Sequence, residues 1–203
     1  MKNTVVTYIF GNNELLRDPT YLTPNTQYVV ITDNPTIRSN IWTTVFVPRI
    51  SQLDIRAQVA VAKFNPFIIP SEKYLIIDSS HKITSDLTPL FHMISCKTLC
   101  VKLHPKRVDI QTEVSRWKQY RGLSDLHEMK INTLLSMYPT SKTAPIYEGC
   151  FIGVSSSTPH KCLFKSVLKL LNTCRDNNTW FPSNQGWPSQ TPRPSSLSSP
   201  RRN

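Results

Sequence analysis

Tyr74-Leu75-Ile76-Ile77-Asp78-Ser79-Ser80 is an apolar run that stops abruptly on an acid. Apolar and β-branched residues flanked by turn formers predict a buried, central parallel strand. In open α/β sheets the ligand crevice lies beyond the carboxyl ends of such strands, so Asp78 is expected to deliver a carboxylate to a binding edge. Downstream, Ser85 or Asp86 is placed to cap a helix whose apolar face opens with Leu87 and Leu90. The unit reads as strand, acidic turn, helix.

The same reading extends in both directions. Thr4 to Phe10 predicts a first strand ending in a turn at Gly11, and Tyr28 to Thr32 a second, again with an acid, Asp33, at its tip. Thr43 to Val47 predicts a third. From Ser51 to Phe64 the period turns helical, and Arg56 and Lys63 stand about two turns apart on one face. Thr98 to Leu103 predicts a strand running into His104-Pro105-Lys106-Arg107, followed by helices over Asp109 to Tyr120 and Ser124 to Tyr138. A late strand over Pro145 to Val154 and an amphipathic helix over Lys161 to Cys174 complete the series. The pattern predicts one α/β domain over residues 1–181, with a mixed, mainly parallel sheet flanked by helices on both faces. Residues 182–203 are rich in Pro, Ser and Arg and are expected to be disordered, since they offer almost nothing to bury.

A chain of 203 residues can build a stable core without disulfides, and its five cysteines include no CxxC pair. Reduced, mostly buried thiols are expected, with Cys96 and Cys100 spaced as on one helix face. The formal charge is +11, and Lys97, Lys102, Lys106, Arg107, Arg116, Lys118 and Arg121 face only Asp109 and Glu113 in the sequence between them. Such a cluster attracts phosphates, whether of a nucleotide, a nucleic acid or a lipid surface. The amino-terminal apolar stretch is too short and interrupted for a signal peptide, and no run approaches the roughly eighteen apolar residues that span a bilayer. A cytoplasmic protein is expected, with peripheral membrane association open to it. Neither GxxxxGK[ST] nor GxGxxG occurs, and five glycines leave little room for a glycine-cradled phosphate site.

Taken in order, these motifs resemble a glycosyltransferase-like family of the GT-A type, found in bacterial polysaccharide clusters and among plant cell-wall and mucilage proteins. The resemblance runs over about residues 4–155. It rests on Phe10-Gly11, Leu15-Leu16-Arg17-Asp18-Pro19, Thr32-Asp33-Asn34, and Asp54, Arg56 and Ala57 with Lys63 and Pro66. Tyr74, Asp78, Asp86 and Leu87 follow, then His104, Pro105, Arg107 and Glu113. The resemblance implies transfer of a sugar, of the hexosyl type, from a nucleotide-sugar donor to a saccharide acceptor in polysaccharide synthesis. It places Phe10, Gly11, Asp33, Arg56, Lys63, Asp78 and Arg107 around the nucleotide-sugar.

Within that reading Arg56 and Lys63 neutralise the diphosphate, His104 donates to the leaving phosphate, and Glu113 orients or deprotonates the acceptor hydroxyl. A metal, Mn2+ or Mg2+, would be held by Asp78 and Ser80, since Ser80 stands where related enzymes carry a second acid. Two other readings remain open. One is a catalytically inactive relative used for binding. The other is a basic nucleic-acid-binding protein, suggested by cations interleaved with Trp117 and Tyr120 and opposed by acids at the strand tips.

Overall fold

The computed structural model describes residues 2–11, 14–50, 55–106, 108–121, 125–137 and 144–176. The expected tail, Cys174's side chain and Arg107 lie outside that description. Six strands form one sheet: β1 (Asn3–Ile9), β2 (Thr26–Thr32), β3 (Thr43–Phe46), β4 (Lys73–Ile77), β5 (Cys100–Leu103) and β6 (Tyr147–Ser155). Five helices accompany them: α1 (Ile55–Lys63), α2 (Thr88–Met93), α3 (Ile110–Arg121), α4 (Asp125–Met137) and α5 (Thr158–Asp176).

The strands lie in the order β3-β2-β1-β4-β6-β5. The sheet is mixed, and the expectation that it is mainly parallel needs correction: three pairings are parallel and two antiparallel. The cause is β6, which enters between β4 and β5 and runs against both. An apolar run carries no record of its direction, so Pro145 to Val154 gave a strand without its sense. The anchoring strand, β4, is central as expected, parallel to β1 on one side and antiparallel to β6 on the other.

Burial explains why β1, β2 and β4 were legible as near-continuous apolar runs. Successive side chains point to opposite faces, and both faces are covered. Val6, Tyr8, Phe10, Ile31 and Ile76 pack on one face with Ile55 and Val59 of α1 and Phe164 of α5. Val5, Ile9, Val30, Leu75 and Ile77 pack on the other with Trp42 and with Phe91 of α2. Each fully buried aliphatic side chain contributes roughly 1.5–3 kcal/mol. Buried hydroxyls at the margins find partners: Tyr74 donates to the Ile69 carbonyl at 2.7 Å, and Tyr28 accepts from the Thr23 N–H at 2.9 Å.

Helix α2 begins one residue later than its apolar pattern suggested, with Leu87 at the cap position and no side-chain cap there. Asp86 instead accepts from the Thr88 N–H at 3.0 Å and the Thr88 hydroxyl at 2.9 Å, which holds its carboxyl below the ordinary carboxylate range. Cys96 and Cys100 do not share a helix face. Cys96 follows α2 in a turn and Cys100 opens β5, and the described thiols are exposed or half-buried instead of buried. All four described cysteines are free.

Candidate functional site

From β1 the sheet grows one way through β2 and β3 and the other way through β4, so the strand order reverses between β1 and β4. Crossover connections leave the sheet on opposite sides at such a point and open a crevice beyond the carboxyl ends. A cleft of about 320 Å³ lies there, at the small end of the roughly 300–1,000 Å³ typical of ligand sites. Tyr8, Phe10, Ile55 and Val59 form its apolar wall. Its polar lining is Glu14, Arg56, Lys63, Asp78, Ser79 and Ser80.

Helix α1 brings Arg56 and Lys63 to this lining because seven residues make nearly two full turns. The Lys63 ammonium bonds Asp78 Oδ1 at 2.5 Å and the Gly149 carbonyl at 3.0 Å, tying α1 to the tips of β4 and β6. An ammonium has three donors, so these two described partners leave one N–H for a ligand oxygen. Next to Phe10 in the chain, the Gly11 N–H donates to Asp33 Oδ1 at 2.9 Å. Gly11 has φ of 74°, and a Cβ there would run into the Ile55 side chain, so the turn requires glycine. Asp33 therefore acts first on the chain itself, holding the turn that carries Phe10 to the cleft.

A second polar group occupies the tips of β5 and β6. Lys102 Nζ lies 2.7 Å from Glu148 Oε2, and the Cys150 thiol donates to the same oxygen at 3.4 Å. The Lys102 ammonium holds the Glu148 carboxyl below its ordinary range, and the carboxylate pushes the lysine up. Burial, and then Glu148, push the Cys150 thiol up, so it stays protonated and unreactive at neutral pH. His104 lies close to Glu148. Its Nδ1 accepts the Lys106 backbone N–H at 3.1 Å, while the His104 backbone N–H donates to the Ile146 carbonyl at 2.9 Å.

Of the residues expected around a nucleotide-sugar, Phe10, Arg56, Lys63 and Asp78 line the cleft, as does Ser80, expected as a metal ligand; Gly11 and Asp33 are outside the lining and bond each other beside Phe10. His104 and Glu113 do not line it. Glu113 lies in the first turn of α3, where its Oε1 accepts from Trp117 Nε1 at 2.5 Å, one turn along the same helix. Tyr8, Glu14 and Glu148 were missed. Tyr8 was detectable, since it lies two residues before Phe10 on the same face of a strand; Glu14 and Glu148 carried no signal beyond being acids near turns.

The expected metal pair fits a divalent ion poorly. One Asp78 oxygen is bonded to an ammonium, which repels a second cation on the same carboxylate, and Ser80 Oγ lies 3.3 Å from His81 Nδ1. Such ions favour several hard, anionic oxygens. No helix among the described residues is long and apolar enough to cross a membrane. Compared with known proteins, the chain matches no family model, and no curated protein matches it at a significant level.

Proposed function

We propose that the chain is a GT-A-like glycosyltransferase that moves a sugar from a nucleotide-sugar donor to a saccharide acceptor. The observation that carries this reading is the gathering of Arg56, Lys63 and Asp78 against the apolar wall of Tyr8 and Phe10, at the reversal of strand order. In the reaction an acceptor hydroxyl oxygen bonds the anomeric carbon, the bond from that carbon to the diphosphate breaks, and the diphosphate leaves with the electron pair. Arg56 and Lys63 offset the charge that develops on the leaving group, Arg through a planar fork and Lys as a point charge. Phe10 and Tyr8 offer an apolar surface to the rest of the donor, and Asp33 keeps that surface in place through Gly11.

The acceptor proton needs a carboxylate within hydrogen-bond reach. Glu148, though outside the cleft lining like Glu113, suits this better. It adjoins Gly149, whose carbonyl binds Lys63, and Lys102 keeps it ionised. Glu113 is held by Trp117 within its own helix. The cytoplasmic placement expected from the sequence belongs to the same reading.

Nucleic-acid binding gains no support from the basic segment. Lys102 pairs with Glu148, and Lys118 with Glu128 at 2.5 Å, so part of that charge is neutralised by acids distant in sequence.

The test is a panel of nucleotide-sugars scored for thermal stabilisation and for release of nucleoside diphosphate. A ligand that binds the folded chain raises its Tm by mass action. At least one donor is expected to do so, and Arg56→Ala to remove the shift. Stabilisation without release or transfer would mark an inactive binding form, and a panel that stabilises nothing would refute the reading.

A further inference from the structure

We propose that the Lys63 ammonium takes the place of a divalent metal at the strand tip, so that the diphosphate is bound without Mn2+ or Mg2+. This rests on reading the cleft as a nucleotide-sugar site. Asp78 directly follows β4 and is the one acid of its turn, with serines at the next two positions. Its Oδ1 is 2.5 Å from Lys63 Nζ, and the lysine side chain is only 14% exposed. The ammonium is fixed from a second direction by the Gly149 carbonyl at 3.0 Å. It is thus a positioned cation in the cleft lining, held by one carboxylate and one backbone oxygen, with a third donor for a phosphate oxygen.

A divalent ion bound to Asp78 would have to displace this ammonium or share its carboxylate. The other oxygen expected to hold it, that of Ser80, is neutral and exposed beside His81. Two neutral hydroxyls, half of the Asp78 carboxylate and the one further carboxylate of the lining, Glu14, fall short of the anionic oxygen set that such ions favour, and no group of three or more His, Cys, Asp or Glu among the described residues could hold a metal. With Arg56 on the same helix face, Lys63 supplies charge that a metal would otherwise bring to the leaving diphosphate. Asp78 becomes a positioning residue: it orients the ammonium and does not touch the metal or the phosphate.

Calorimetric titration of the full chain with inorganic pyrophosphate, UDP and GDP, in EDTA and then in Mn2+ or Mg2+, tests this. Binding in EDTA that changes less than about twofold on adding metal is expected, whereas Lys63→Met weakens it about tenfold or more. Lys63→Met also frees Asp78, so metal is expected to restore part of the lost affinity in that variant alone. Lys63→Arg, which keeps the charge, retains metal-free binding if Lys63→Met does not fold. Wild-type binding seen only with metal would overturn the substitution of ammonium for metal and leave the nucleotide site standing. No binding in either condition would overturn both.

Discussion

The two sides of β4 are built differently. Toward β1 and β2 the strands are parallel and buried along nearly their whole length, with Leu75, Ile76, Val29 and Val30 fully enclosed. Toward β6 and β5 the pairing is antiparallel, a register shift separates Val101 from Lys102, and the tip residues Tyr147 and Leu103 are 52% and 58% exposed. Packing thus makes the β1 side of the cleft rigid, and under the proposed reading this is where a diphosphate would meet fixed charges. The β5 and β6 tips are held by an ion pair and single hydrogen bonds, and under the proposed reading this looser side would admit the acceptor.

Substitutions on the two sides should therefore differ widely in cost. Leu75→Ala is expected to destabilise the fold by about 3–5 kcal/mol through lost burial and a residual cavity, and Leu103→Ala by about 0.5 kcal/mol or less. Chemical denaturation of both variants checks this, and equal losses would erase the contrast. Gly11→Ala should cost about 1–3 kcal/mol, because it places a side chain at positive φ against Ile55. Calorimetry on the same variant should show weakened nucleotide binding, since Asp33 then no longer holds the turn.

Tyr8 gives a smaller effect of opposite sign. Its hydroxyl is buried with no partner among the described residues, and burial drives the phenol far above its ordinary range. Tyr8→Phe removes that unpaired group and should stabilise by about 1 kcal/mol in thermal or chemical unfolding. The smallest expected effect is on the looser side. Glu148 titrates below its ordinary range in the folded chain, so its contribution is present above the unfolded value of about 4.3 and is lost as pH falls through the lower folded value. An NMR titration should show the Glu148 carboxyl returning toward the ordinary range in Lys102→Ala, with the acid limb of stability shifted accordingly.

Much of the parallel side could be read from sequence, for physical reasons specific to it. Strands buried on both faces are written as uninterrupted apolar runs, so Val5 to Phe10, Tyr28 to Thr32 and Tyr74 to Ile77 stood out, along with the acids at their ends. The common face of Arg56 and Lys63 followed from helical period. The partnership of Lys63 with Asp78 did not, since a contact across fifteen residues depends on how α1 lies over the sheet. Those two groups had been assigned to different parts of the ligand and instead bond each other. The same holds for the bond from the Gly11 N–H to Asp33 Oδ1, which joins turns 22 residues apart. The direction of β6 was illegible too, and with it the arrival of Glu148 opposite Lys102.

Hydrogen–deuterium exchange with and without UDP or GDP tests most directly whether the cleft between β1 and β4 is the nucleotide site. Protection is expected at Phe10 and Gly11, along α1, and at Asp78 to Ser80, with little change in α3. Protection centred on α3 and the basic residues before it, with the β1 and β4 tips unchanged, would contradict a donor site at the reversal of strand order.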